Sequence, residues 1–256
     1  MNLELRNRRV LVTGSSQGIG HAIATAFLAE RARVAVTGRD RVILHALMKE
    51  WAPKFGAAHV LACPGDLTSA AVVSRVLGRI KKTWGGLDVL VLNLGSGRSA
   101  LGLPDATEWN RVLGLNLVAA MDTLRLAMDL LSQGRKPSVV LVGSIAGLEA
   151  LGAPISYGAA KAGLRHAMKA AAQQLAGHGI RVNMVAPGNI FFLGGTWDKK
   201  MKEEPETTVA MLEAQVPLRR FGTAKEVAGA VVFLASGQAS FITGACLTVD
   251  GGQTRT

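Results

Sequence analysis

The chain has 256 residues, 49% of them apolar and 18% charged, which is enough for a buried core and excludes a disordered or acidic solvating chain. Its net charge of +11 is spread over basic runs no longer than a pair, and aromatic residues make up only 5%, so no nucleic-acid stripe or base-stacking platform is present. An anionic small ligand, a carrier with an acidic surface, or a lineage-wide compositional bias explains the charge equally well.

In chain order, Arg6, Arg8 and Arg9 lead straight into an apolar run and a glycine-rich turn, unlike a cleaved signal segment. The apolar runs here fall far short of the roughly 18–20 residues that a membrane span needs. The expectation is a soluble cytoplasmic protein. Strands are predicted over 10–13, 34–37, 59–63, 88–93, 138–142, 181–186 and 246–249, with six helical segments between them. Strands apolar on both faces that alternate with helices imply a parallel sheet covered on both sides by right-handed crossovers. The pattern therefore predicts one α/β domain over 1–256, a doubly wound, Rossmann-like sheet of about seven strands. Only 189–220 breaks the alternation, with Gly194, Gly195, Trp197 and a charged run at 199–204. An insertion after a strand's carboxyl end reads as a substrate lid, or else as a surface excursion with no part in binding.

After the first strand the chain reads Thr13-Gly14-Ser15-Ser16-Gln17-Gly18-Ile19-Gly20 and then turns helical from His21. Glycines permit a tight turn and close approach of a pyrophosphate to the free amides of a helix N-terminus. The spacing is GxxxGxG and not GxGxxG, so the strand before and the helix after carry the assignment to a dinucleotide. The second strand ends in Thr37-Gly38-Arg39-Asp40, where an acid would hold a ribose 2′-hydroxyl and an arginine would accept a 2′-phosphate. Gly38 stands where the acid is expected and Arg39 follows it, which favours NADP(H) over NAD(H). A register shift of two residues onto Asp40 would reverse that preference.

Tyr157, the only tyrosine, and Lys161 are four apart in a helical pattern over 154–178, which places them on one face. A neighbouring ammonium stabilises phenolate and so draws the tyrosine pKa down toward the working pH, where it serves as general acid and base. Ser144 lies just beyond the strand at 138–142, in reach of the same carbonyl oxygen, and Asn116 lies on an earlier helix.

With these four residues the sequence resembles the short-chain dehydrogenase/reductase family over essentially its whole length. The matching elements are TGSSQGIG at Thr13, Asp66 after the third strand, the Asn93 turn after the fourth, Asn116, Ser144, YGAAK at Tyr157, and Pro187-Gly188-Asn189-Ile190. The resemblance implies that Tyr157 donates the proton in reduction, while Lys161 lowers its pKa and binds the nicotinamide ribose. Ser144 would bond the substrate oxygen and Asn116 would support a water-linked proton relay. Asp66 and Leu67 would flank the adenine, Asn93 and Gly95 would shape the cofactor wall, and Ile190 would meet the carboxamide. Hydride transfer belongs to the cofactor, and the protein supplies orientation and electrostatics. Three departures stand out: Leu94 in a turn that usually reads NNAG, Phe192 where a threonine is usual, and Gln17 where NADP-preferring relatives often carry a base.

Cys63 and Cys246 form no CxxC pair, and the five histidines have no ligand spacing, so neither a disulfide nor a metal site is expected. Trp197 and Phe191 suit a substrate pocket or simple packing. The resemblance also implies a homotetramer or homodimer, built in part from an amphipathic helix at 226–235 and the terminal strand. The expected activity is reduction of a ketone, or oxidation of a secondary alcohol, on a small molecule that is free or linked to a carrier or CoA, such as a 3-oxoacyl thioester. A sugar-derived or polyketide-like alcohol used with NAD, or a non-catalytic cofactor-sensing module, is the alternative.

Overall fold

The computed structural model describes residues 2–97, 99–100 and 102–255. The first half runs β1 (Arg9–Val12), α1 (Gly18–Ala29), β2 (Arg33–Gly38), α2 (Arg41–Phe55), β3 (Val60–Pro64), α3 (Ala70–Trp84), β4 (Val89–Leu92) and α4 (Ala106–Leu113). A wide π-turn (Gly114–Val118) joins α4 to α5 (Ala119–Ser132), and β5 (Ser138–Val142), α6 (Ile155–Ala176) and β6 (Arg181–Pro187) follow. The chain closes with β7 (Ile190–Phe191), α7 (Thr196–Glu203), α8 (Pro205–Gln215), β8 (Gly222–Thr223), α9 (Ala224–Ala235) and β9 (Cys246–Val249). Among the described residues no helix is long and apolar enough to cross a membrane.

Seven parallel strands form one sheet in the order β3-β2-β1-β4-β5-β6-β9. Alternation along the strands sends Leu11, Leu90 and Leu141 into a core beneath α3, α5 and α6, while Val10, Val12, Val89, Val91 and Val140 enter a second core beneath α1, α2 and α9. The order reverses between β1 and β4, so their carboxyl ends part and leave a crevice, the place where doubly wound sheets take ligands.

The opposite end of that strand pair is held by Asp88, which is fully buried. Its carboxylate accepts the backbone N–H of Arg9 at 2.9 Å, both arms of the Arg9 guanidinium at 3.0 and 2.5 Å, and the N–H of Arg135 at 2.7 Å. Burial alone would raise its pKa, but the bonds from Arg9 and Arg135 outweigh it and hold the carboxyl below its usual range.

The element boundaries differ from the predicted ones in physically specific ways. His59 falls in a short 3-10 turn (Ala57–His59) before β3. Asp88 and Asn93 lie just outside β4, where their side chains bond across to Arg9 at the start of β1 and to Thr13 just beyond its end. The helix bearing Tyr157 ends at Ala176, not 178. Residues 189–220 hold two helices and strand β7, and β7 pairs in parallel with β8 through Ile190–Gly222 and Phe191–Thr223.

Candidate active site

The crevice contains a cavity of about 440 Å³ that runs from Arg39 and the glycine turn at one end to Ser144, Tyr157 and Lys161 at the other. Its first wall is the turn between β1 and α1. Gly14 and Gly18 have φ of +60° and +57°, which favours glycine at both positions. A Cβ on Gly20 would fall on the Gly14 carbonyl oxygen and 2.5 Å from the Asn93 amide nitrogen, so α1 approaches the turn more closely than a side chain allows. Asn93 clamps this turn by donating to the carbonyls of Thr13 at 3.1 Å and Gly14 at 3.0 Å, while the Thr13 hydroxyl accepts the Asn93 and Leu94 amides. Gln17 caps α1 with no side-chain hydrogen bond, which leaves the first amides of the helix without an internal partner. Such a turn stabilises a dianionic diphosphate.

At the end of β2, Gly38 can carry no side chain without meeting Ser16, whose Cβ and Oγ lie 2.9 Å from the position of the missing Cβ. Arg39 is exposed and lines the cavity. Asp40 is engaged elsewhere: its carboxylate caps α2, accepting Val42 N–H at 2.7 Å and Ile43 N–H at 3.2 Å. Asp66 sits beside Arg39, and its hydrogen bonds from Thr68 hold its pKa below the usual range.

The other end is assembled by packing between β5, α6 and the π-turn. Ser144 opens a 3-10 turn (Ile145–Gly147) and accepts the Ala146 N–H at 3.2 Å. That turn rests directly on α6, because Gly147 has no Cβ to strike the Lys161 backbone. The approach brings Ser144 into a hydrogen bond with Tyr157. Lys161 is buried and its Nζ donates to the Val142 carbonyl at 3.2 Å, 5.8 Å from the centre of the Tyr157 ring. Asn116 lies in the π-turn, a deformation often found at functional sites, and exchanges two hydrogen bonds with the Ser96 backbone at 3.0 and 3.2 Å. A Cβ on Gly95 would lie 2.8 Å from the Asn116 Oδ1 and 3.2 Å from the Lys161 Nζ, so this glycine lets the two side chains flank one point.

Burial decides the titration of this cluster. It pushes the Lys161 ammonium down to about 8. It also raises the Tyr157 phenol above its ordinary value, against the smaller opposing effect of the Ser144 hydrogen bond. The downward shift expected for Tyr157 from a nearby ammonium is therefore reversed in this structure: desolvation of the phenolate dominates.

Of the site residues named from the sequence, Gly14, Gln17, Gly18, Ile19, Gly20, Arg39, Asn93 and Gly95 line the cavity, as do Ser144, Tyr157, Lys161, Pro187, Gly188 and Ile190. Four stand off its wall: Ser16 lies under Gly38, Leu67 is in the core, Asp66 is exposed near Arg39, and Asn116 is behind Gly95. Ser96, Gly97, Gly143 and Thr196 line it without having been singled out; the last sits at the start of α7, a helix with no family-like motif. Trp197 and Phe192 also face the cavity, whereas Phe191 packs on Phe221 with ring centres 5.7 Å apart.

A reversing parallel sheet with a glycine turn and a tyrosine–lysine–serine cluster in one crevice defines a dinucleotide-binding oxidoreductase. The chain belongs to the short-chain dehydrogenase/reductase family and is an NAD(P)-dependent enzyme: a family model described as Enoyl-(Acyl carrier protein) reductase matches residues 14–254. It is 34% identical over 256 residues to 2-(S)-hydroxypropyl-CoM dehydrogenase 3 of Xanthobacter autotrophicus, covering 99% of each chain. It is likewise 34% identical to the 3-oxoacyl-(acyl-carrier-protein) reductase of Escherichia coli, with 98% of each covered. The structure of L-sorbose reductase from Gluconobacter frateurii, complexed with NADPH and L-sorbose, superposes with a TM-score of 0.93 at 28% identity over 100% of both chains.

Proposed function

We propose that this enzyme transfers a hydride between NADP(H) and a ketone/secondary alcohol pair, with Tyr157 as general acid and base. The observation that carries the reading is the convergence of Ser144, Tyr157 and Lys161 at one end of a cavity whose other end is the glycine turn and Arg39. The residues of the turn suit a diphosphate, since α1 approaches too closely at Gly20 for any Cβ and opens on amides that no side chain caps. The turn at 14–20 would hold the diphosphate, Asn93 and Gly95 the wall, and Pro187, Gly188 and Ile190 the nicotinamide end. When bound, the dinucleotide gives or takes the hydride.

In the direction of reduction, the substrate carbonyl oxygen accepts from the Ser144 hydroxyl and receives the proton of Tyr157. Lys161 stabilises the phenolate left behind, and its pKa of about 8 lets it pass a proton near neutral pH. Asn116, beside Gly95, would continue that path outward. The preference for NADP(H) is supported by Arg39 on the cavity wall, by Asp40 being used as a helix cap, and by the absence of room for an acid at Gly38. The bound NADPH named for the sorbose reductase agrees with it. Residues 189–220 act as the substrate lid, with Thr196 and Trp197 facing the cavity.

The test is a carbonyl and alcohol panel run with NADPH and NADH on the wild type and on Arg39→Ala. The expected result is NADPH-linked turnover of at least one carbonyl, with NADPH binding weakened about tenfold in the variant and NADH binding unchanged. Unchanged NADPH affinity in Arg39→Ala defeats the cofactor assignment. NADPH binding without turnover of any carbonyl would favour a cofactor-sensing module instead.

A further inference from the structure

The residue after β7 reaches back across the cavity to the glycine turn. If Gly18 carried a Cβ, that atom would lie 2.7 Å from the Phe192 Cε2 and 3.0 Å from its Cζ, so the ring fills the space that the missing side chain opens. The same ring closes on Gly195, whose Cβ position is 2.9 Å from the Phe192 Cε2. Phe192 is partly buried against the apolar core beneath α1 and α9, which holds the ring where it is. Gly18 and Ile19 open α1, and theirs are the amides a diphosphate must reach. The ring therefore stands against the glycine that opens α1, on the wall of the same cavity.

We propose that Phe192 is a latch on the dinucleotide groove, an affinity-determining residue whose ring must leave Gly18 before the diphosphate can seat. The inference rests on the dinucleotide reading above. Because the groove is competent only while the ring is away, the apparent affinity for a diphosphate ligand falls by the fraction of molecules in that state. Leaving also displaces the segment that follows. The turn is closed by Gly195 N–H donating to the Phe192 carbonyl at 3.0 Å, which ties the ring's backbone to the start of α7. Asp198 then accepts Gly194 N–H and the Lys202 ammonium, each at 2.9 Å, so α7 follows the turn as a unit. Thr196 and Trp197 sit on α7 and line the substrate end of the same cavity. Dinucleotide binding thus reshapes the substrate end.

The test titrates NADPH and adenosine 2′-monophosphate by calorimetry against the wild type, Phe192→Ala and Phe192→Leu, with thermal melts to confirm folding. The monophosphate carries the 2′-phosphate but no diphosphate, so it reports on the Arg39 end alone. The expected result is NADPH binding about tenfold tighter in Phe192→Ala, an intermediate gain in Phe192→Leu, and equal monophosphate binding in all three. Equal or weaker NADPH binding in a folded Phe192→Ala with the monophosphate still bound overturns the latch and leaves the cofactor reading standing. Failure of the wild type to bind either ligand overturns the cofactor reading and the latch with it.

Discussion

Replacing Lys161 with methionine should stabilise the fold while abolishing activity. The ammonium is buried, and desolvation lowers its pKa from 10.5 to about 8, a difference worth about 3 kcal/mol. Because the folded pKa is the depressed one, the unfolded chain holds this proton more tightly. Below pH 8 both states are protonated and the folded protein bears the whole cost; between pH 8 and 10.5 the folded state releases the proton and the cost disappears. Methionine keeps the apolar stem but loses the bond to the Val142 carbonyl at 3.2 Å, which costs about 1–2 kcal/mol. The net expectation at pH 7 is a gain of about 1–2 kcal/mol, read from urea unfolding. That gain should shrink by about 2–3 kcal/mol between pH 7 and pH 10, turning into a loss, as the wild type recovers its stability. A difference between variant and wild type that stays flat across this window would refute the claim that Lys161 is buried as a costly ammonium.

Asp40→Ala removes a helix cap and should cost about 1 kcal/mol in urea unfolding while leaving the ratio of NADPH to NADH affinity unchanged. A changed ratio would return Asp40 to the ribose. Gly20→Ala forces a Cβ onto the Gly14 carbonyl and breaks the Asn93 clamp, so a loss of about 2–4 kcal/mol is expected, with NADPH binding weakened in parallel. Wild-type stability in that variant would show that the turn is not packed as described. Asp88→Asn removes the charge that the Arg9 and Arg135 groups surround, and about 3–5 kcal/mol should be lost, with kcat on the surviving folded fraction unaltered because Asp88 is at the far end of the strands.

The sheet was legible because each strand is apolar on both faces, as the runs Val10-Leu11-Val12 and Val89-Leu90-Val91-Leu92 show, and the turn was legible because its glycines lie between such a strand and a helix. Tyr157, Lys161 and Ser144 were legible as a set because helical spacing and position after β5 both point to one crevice. What escaped depends on distant packing. No sequence pattern marks the π-turn at Asn116, and nothing local places Ser16 beneath Gly38 or engages Asp40 as a cap. The pairing of β7 with β8 joins residues about thirty apart through two residues each, too short for any periodicity. The titration of Tyr157 is hidden for a related reason: spacing shows an ammonium one turn away, whereas the burial that governs the phenol exists only in the folded site.

Single-turnover kinetics of Tyr157→Phe, with bound NADPH and a carbonyl taken from the panel, test most directly whether Tyr157 exchanges the proton with the substrate oxygen. The hydroxyl is lost while the ring and its packing remain, so NADPH binding should be retained and the rate of NADPH oxidation should fall by about 10³-fold or more. A rate within about tenfold of the wild type, with the cofactor bound equally well, would contradict the assignment of Tyr157 as the general acid.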